Sequence, residues 1–572
     1  MKNMLKLVAA ASVAAASMNA VALEPWNDTP DLVINISGAT APDKLLRTMI
    51  QSICDTTAND YTEFSSDTSF PSKSRAAYYC TVDETAAAFT GLPIAADQKV
   101  LFRKRSQGGS FQGVGPVADD IAGEQLDLSD ANSGAQGGGC AGIQNGNQYI
   151  NCGDVEVVSS DAGTSDLPPD VFVSPNVSAG FDPCDADCVA NLDSAAITQL
   201  GFGVPITNAL YKALQIAQGK NPDSDGDLTD DLLQPVTDFL NDDTNRANFR
   251  ANMPSLTKEQ LAALFSNIAM NDWSDLRFYD SNTDESYGLT SFPGVAAPAD
   301  TRVHICRRVN GSGTQATHNL NIMNCPTTAA NCGLIATDNT PCVGVDIGED
   351  LTTDNPPGDQ VVNQGSACAF PFGTPADPNN QVGQPGKVTG LTGAKVVFEN
   401  SGSGNVTSCM DEAQAANLWA LGVQSLEKDS QLVDVNNPHG GWTFIAIDGE
   451  APTLANVAMG KYFHWGAVSM QWAKTGGNVP TGDKLNILKA LRTNLADPGE
   501  LKIANDKVDF RFGYTGSLSA TAPIVANPTT TGVWFDETLP VAQWEHPQND
   551  SFQIIVPRDS SKTDFSVPNA EH

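Results

Sequence analysis

His304-Ile305-Cys306-Arg307-Arg308-Val309-Asn310-Gly311-Ser312-Gly313-Thr314-Gln315-Ala316-Thr317-His318-Asn319-Leu320 is the stretch that decides how this 572-residue chain is read. A strand-like run from Arg302 to Cys306 leads into two arginines, a Gly-Ser-Gly-Thr turn and a segment able to start a helix. Ser312 and Thr314 offer hydroxyls, and the glycines let backbone N–H groups approach a ligand closely. A helix N-terminus adds unpaired donors and the positive end of a dipole. Arg308 adds a planar fork of donors suited to a tetrahedral anion. The arrangement predicts an oxyanion cradle, and its alternative is a plain glycine turn with surface arginines.

Comparable passages recur along the chain. Ile34 to Pro42 ends a strand and opens a helix whose apolar residues Leu45, Leu46, Met49, Ile50 and Ile53 keep helical spacing. Pro42 suits the first helical turn, and Thr40 stands at the helix N-terminus as a second cradle or an ordinary cap. Lys99 to Phe102 reads as a strand entering Arg103-Lys104-Arg105-Ser106-Gln107-Gly108-Gly109-Ser110, a third Ser/Gly turn. Val155 to Val158 reads as a strand followed by Asp161-Ala162-Gly163-Thr164-Ser165-Asp166. Gly201 to Gly219 passes from strand to helix, and Thr257 to Ile268 is a helix opened by a Thr257/Gln260 capping box. Val396 to Phe398 is a strand, followed by a Ser/Gly turn and a helix from Ser408 to about Leu421. Alternating strands and helices with Ser, Thr and Gly at their junctions predict α/β sheets with a ligand at the strands' carboxyl ends.

Residues 1–22 read as a signal peptide, with lysines near the start, an apolar run from Leu5 to Ala16 and Ala20-Val21-Ala22 as the cleavage site. No cysteine stands at that site for a lipid anchor, and no later run approaches the ~20 apolar residues of a membrane span. A periplasmic or secreted protein is the expectation. All 12 cysteines lie beyond the leader, an even number that favours disulfides after export. Cys184 with Cys188, and Cys140 with Cys152, can each close a small loop. Cys325, Cys332, Cys342 and Cys368 fall in a Gly-, Pro- and Cys-rich insertion, residues 321–393. A second loop insertion spans residues 128–153.

The formal charge of −35 argues against nucleic acid and anionic membranes as partners. It also requires any anion to be captured by local donors. Asn221-Pro222-Asp223-Ser224-Asp225-Gly226-Asp227 opens an acidic loop resembling an EF-hand calcium loop, but its twelfth position, counted from Asn221, is Leu232 where a bidentate acid is expected. Calcium is therefore a weak candidate, with a solvated acidic loop as the other reading.

Taken together, these segments resemble the periplasmic phosphate-binding protein of ABC phosphate transporters. Gly38-Ala39-Thr40-Ala41-Pro42 resembles that family's Gly-Ala-Thr-Phe-Pro. Gly163-Thr164-Ser165-Asp166 resembles its Gly-Ala-Ser-Asp. Leu256 to Asp275 resembles its helix and tryptophan turn, and Arg308 to Thr314 its Arg-x-Asp-Gly-Ser-Gly-Thr. The resemblance implies a two-lobed type II periplasmic-binding-protein fold with large loop insertions. One lobe would hold residues 23–200 and 466–572, the other residues 201–465. It implies phosphate contacts from Thr40, Ala41, Ser106 (with Ser110 next in line), Asp166, Arg308, Ser312, Gly313 and Thr314, and an ABC permease as a possible partner. Ala41 and Asn310 depart from the family's phenylalanine and aspartate.

A non-enzymatic receptor for phosphate or a related oxyanion is the leading expectation. A secreted structural or adhesive protein reusing the fold is the alternative, favoured by the cysteines and insertions. A phosphatase is a third, for which the sequence has no G-x-S-x-G elbow, no H-E-x-x-H and no His/Asp cluster for two metals.

Overall fold

The structure, a computed structural model, describes residues 23–220, 251–323, 395–428, 441–505 and 515–518 apart from short gaps, with the strands Gln543–Glu545 and Val556–Arg558. The leader, the acidic loop at Asp223–Asp227 and cysteines 325, 332, 342 and 368 lie outside the described residues.

The fold is mixed α/β, arranged around two principal sheets. The first has eleven strands. At its centre the Leu32–Gly38 strand runs parallel to Lys99–Arg105 on one side and to Ala162–Ser165 on the other. The second sheet has five strands, in which His304–Arg308 runs parallel to both Val396–Asn400 and Ala420–Gly422. The chain leaves the first sheet at the end of Leu192–Gly203 and enters the second at once through Pro205–Thr207. It leaves the second sheet after Trp442–Phe444 and returns to the first as Trp465–Ala473, which lies antiparallel to Leu192–Gly203. These two crossings lie side by side between two lobes, and between them in sequence Gln424–Ser425, which follows Ala420–Gly422 of the second sheet, also pairs with Leu192–Gly203 of the first.

Each lobe has its own core. In the first, Leu45, Leu46, Met49 and Ile50 of the Asp43–Ser52 helix pack with Ile34, Ile36 and Phe102 of the sheet and with Ile487 and Leu491 of the Gly482–Ala496 helix. In the second, Trp273, Trp419 and Trp442 pack with Leu210, Leu214 and Met410. Burying each such side chain stabilises its lobe by about 1.5–3 kcal/mol. A separate cluster joins Phe111, Leu167 and Phe172 of the first lobe to Ala316 and Leu320, which lie on the helix Gly313–Asn321 after the second sheet's His304–Arg308 strand.

Several boundaries differ from the sequence reading. The strand leading to the arginines is His304–Arg308 rather than Arg302–Cys306, because its parallel pairing with Val396–Asn400 runs through Arg308. The helix expected from Ser408 to Leu421 is Ser403–Ala415 instead. Its early start is supported by Asn405 Oδ1, which accepts from the Gly402 N–H at 3.0 Å, and Ala420–Gly422 is recruited as a strand beside His304–Arg308. Ala162–Ser165, expected only as a segment following the Val155–Val158 strand, is itself a strand. The helix expected over Thr257–Ile268 spans Lys258–Phe265, and its Thr257/Gln260 capping box is present.

Four disulfides form among the described residues. Cys140–Cys152 and Cys184–Cys188 are the loop closures expected from spacing, whereas Cys54–Cys80 and Cys306–Cys409 join residues far apart in sequence.

Candidate functional site

The residues singled out in the sequence, together with Ser403, lie at or just beyond the carboxyl ends of parallel strands, three in one sheet and two in the other. Thr40 follows Leu32–Gly38, Ser106 and Ser110 follow Lys99–Arg105, and Asp166 follows Ala162–Ser165. Arg308 to Thr314 close His304–Arg308, and Ser403 follows Val396–Asn400. The first three strands belong to one lobe and the last two to the other, so the strand ends of both sheets converge on one place. Parallel strands all present the same end, which is why a ligand site forms there.

Ser110 ties the lobes together. Its Oγ accepts from the backbone N–H of Asp166 at 3.3 Å and from that of Gly313 at 3.0 Å. Gly313 must be glycine for this approach: a Cβ there would lie 2.4 Å from Ser110 Oγ and 2.6 Å from Asp166 Cβ. Thr314 Oγ1 donates to Asp166 Oδ2 at 3.2 Å, while Asp166 Oδ1 is buried without a hydrogen-bond partner. Ser312 is the N-cap of the Gly313–Asn321 helix, its Oγ accepting from the Gln315 N–H. Gly311, at φ +86°, turns the chain from strand to helix.

Arg308 and Asp166 are 1% and 2% exposed, from opposite lobes. Arg308 Nη1 donates to Ser403 Oγ at 2.8 Å, and that hydroxyl lies 3.2 Å from Thr40 Oγ1 of the facing lobe. Burial pushes the Asp166 carboxyl up to about 6, with Arg308 and the Thr314 hydroxyl opposing the shift. Burial likewise lowers the Arg308 guanidinium to about 10, against the pull of Asp166 and Glu427. Buried Glu427 adds negative field on Asp166 and was not anticipated from sequence.

Ser106 is placed differently from Ser110. Its hydroxyl donates to Asp43 Oδ2 at 2.5 Å and accepts from Lys104 Nζ at 2.8 Å. Lys104 also donates to the carbonyls of Gly38 and Ala39 and pairs with Asp43 at 3.2 Å. Burial pushes the Asp43 carboxyl up and the Lys104 ammonium down, and the ion pair counters both. This group braces the turn that carries Thr40. Ala41 is buried in the first lobe's core, so its side chain packs there.

The site brings together buried hydroxyls, backbone donors, one guanidinium and one carboxyl acceptor. Such a set can hold an anion that also carries a proton to donate. Ser403 was missed as a site residue, although its Gly402-Ser403-Gly404 setting follows a strand as the other turns do. Among the described residues no group of three or more His, Cys, Asp or Glu is placed to hold a metal ion, and no helix is long and apolar enough to cross a membrane.

Neither a protein-family model nor a curated protein matches the sequence. The chain is similar in structure to a protein from Clostridium perfringens assigned as a phosphate ABC transporter substrate-binding protein and solved with bound phosphate, at 12% identity and TM-score 0.34, over 85% of this chain and 99% of that one. It is also similar to PstS from Borrelia burgdorferi, at 9% identity and TM-score 0.30, over 86% and 99% of the two chains. A third likeness is to an ABC-type phosphate transport receptor from Vibrio cholerae, at 9% identity and TM-score 0.29, over 80% and 93%.

Proposed function

We propose that this chain is an exported, non-enzymatic receptor that captures phosphate or a related oxyanion between its two lobes. The observation that carries the reading is the convergence of buried Arg308 and buried Asp166 from opposite lobes, with the hydroxyls of Thr40, Ser110, Thr314 and Ser403 around them. Arg308 supplies charge to a protein whose net charge of −35 would otherwise repel an anion. Thr314, in the first turn of the Gly313–Asn321 helix that Ser312 caps, supplies a helix-terminal N–H, and Asp166 Oδ1 accepts the proton that phosphate still carries near neutral pH. The neighbouring crossings between the sheets act as the hinge about which the lobes close. In this reading residues 1–22 direct export and the partner is an ABC permease.

Calorimetry on the ligand-stripped mature chain with phosphate, arsenate and sulfate tests it. Saturable phosphate binding is expected, with sulfate weaker. Heats of dilution alone for all three anions would remove the oxyanion role, and steady turnover of an aryl phosphate would assign a hydrolase instead.

A further inference from the structure

Behind the anion site runs a chain of buried amides that crosses from one lobe to the other. The backbone N–H of Arg308 donates to Gln315 Oε1 at 3.1 Å, and Gln315 Nε2 donates to Asn319 Oδ1 at 2.9 Å. Asn319 Nδ2 then donates across the lobes to Asn176 Oδ1 at 2.9 Å, and Asn176 Nδ2 donates to the Val171 carbonyl at 3.3 Å. Each amide uses its carbonyl on the Arg308 side and its N–H on the other, so all four bonds point the same way. Gln315, Asn319 and Asn176 are all buried. Gln315 and Asn319 share one face of the Gly313–Asn321 helix, four residues apart. Asn176 belongs to the segment between the first lobe's Ala162–Ser165 and Leu192–Gly203 strands.

The same segment meets the second lobe at two other places. Ser178 stands against Gly311, where an added Cβ would lie 2.0 Å from Ser178 Oγ. Phe172 joins the cluster that holds Ala316 and Leu320. Opening the lobes separates Asn176 from Asn319 and leaves a buried amide unpaired until water reaches it, a cost that falls on the open path alone.

We propose that Asn176 and Asn319 form a latch that holds the lobes closed and sets the residence time of the bound anion. The two are positioning residues, since neither is placed among the groups assigned to the anion. The inference rests on the oxyanion reading for its ligand and on the inter-lobe geometry for its action. Because the latch draws the lobes together with or without the anion, its loss speeds release and eases entry as well.

The test is stopped-flow release of inorganic phosphate from the wild type, Asn176→Ala, the isosteric Asn319→Asp and the double variant. It is paired with small-angle X-ray scattering of each protein without phosphate. Expected are about tenfold faster release in either single variant, association no slower than in the wild type, and no further gain in the double variant. The scattering should show a larger radius of gyration in the variants than in the wild type. Circular dichroism confirms folding, and Asn176→Ser replaces any variant that fails it. Release rates within about twofold of wild type in folded variants overturn the latch, as does unchanged scattering. A wild type that binds no phosphate counts against the oxyanion reading, and the scattering arm then decides the latch by itself.

Discussion

Ser110 Oγ of one lobe accepts a hydrogen bond from the Gly313 N–H of the other at 3.0 Å, and no side chain larger than glycine's fits at position 313. The first lobe's Ser/Gly turn and the second lobe's helix terminus therefore meet within one hydrogen bond. Ser110→Ala is expected to weaken phosphate binding about tenfold and to lower stability as well, since the buried N–H groups of Asp166 and Gly313 lose their acceptor. Ser106→Ala is expected to leave phosphate binding nearly unchanged while costing about 1–3 kcal/mol of stability, because it releases the buried Asp43–Lys104 pair. Calorimetry and thermal melts on both variants check the contrast. Equal effects would show that the two serines share one role.

Removal of the guanidinium is the sharpest test of the site. Arg308→Ala should lower phosphate affinity tenfold to a hundredfold, the range for a charge-assisted contact of about 1.5–3 kcal/mol. Arg308→Lys should recover only part of it, since one ammonium cannot reproduce the fork that reaches Ser403. Wild-type affinity in the alanine variant would place the anion elsewhere.

Asp166 should govern selectivity. An ionised carboxylate only accepts, so sulfate, which has no proton to give, sets its oxygens against a negative charge at a cost of roughly 1–3 kcal/mol. Asp166→Asn should therefore narrow the preference for phosphate over sulfate. Competition binding measures this, and an unchanged ratio in the variant would free Asp166 of that role.

The same carboxyl predicts a pH effect on stability. Its folded value, about 6, is raised above the ordinary 3.8 by burial. The stabilising contribution of its protonated form is then complete below about 3.8 and lost as pH rises through about 6. Ligand-free Asp166→Asn, which cannot ionise, should gain in melting temperature relative to wild type between pH 4.5 and 7.5. A constant difference across that window would mean that Asp166 titrates where an exposed carboxyl does.

Cys306 and Cys409 join the strand that ends in Arg308 to the helix that begins at Ser403. Replacing both with serine should lower unfolding free energy by about 2–5 kcal/mol, read from denaturant midpoints. It should also weaken phosphate binding, because the Arg308–Ser403 contact loses its brace. Loss of stability with full affinity would leave the disulfide a purely structural role.

Much of this site is legible in the sequence because the chemistry is local. Gly38 to Pro42, Gly163 to Asp166 and Arg308 to Thr314 each carry a strand end, a turn residue and a hydroxyl or charge within seven positions. Ser403 was harder to read. Glycines on both sides suggest a loop, and the helix that begins there rests on Asn405 folding back on Gly402. The choice between Ser106 and Ser110 depends on where Lys104 and Gly313 fall in space, which spacing along one turn does not encode. Asn176 and Glu427 carry no sequence signal at all, and their placement follows from how the lobes meet. The Cys306–Cys409 pairing was illegible for a similar reason, since its partners are 103 residues apart.

That long pairing has a consequence for the covalent connectivity of the chain. All of residues 324–394 lie inside the loop closed by Cys306 and Cys409. A protease that cuts anywhere in this interval severs the polypeptide but not the molecule. The two fragments stay tethered beside Arg308 and Ser403, so a nicked chain should run as one species until a reductant is added. A foreign sequence spliced into the same interval would be held by the same tether, which makes it a natural port for fusing a reporter to an intact site.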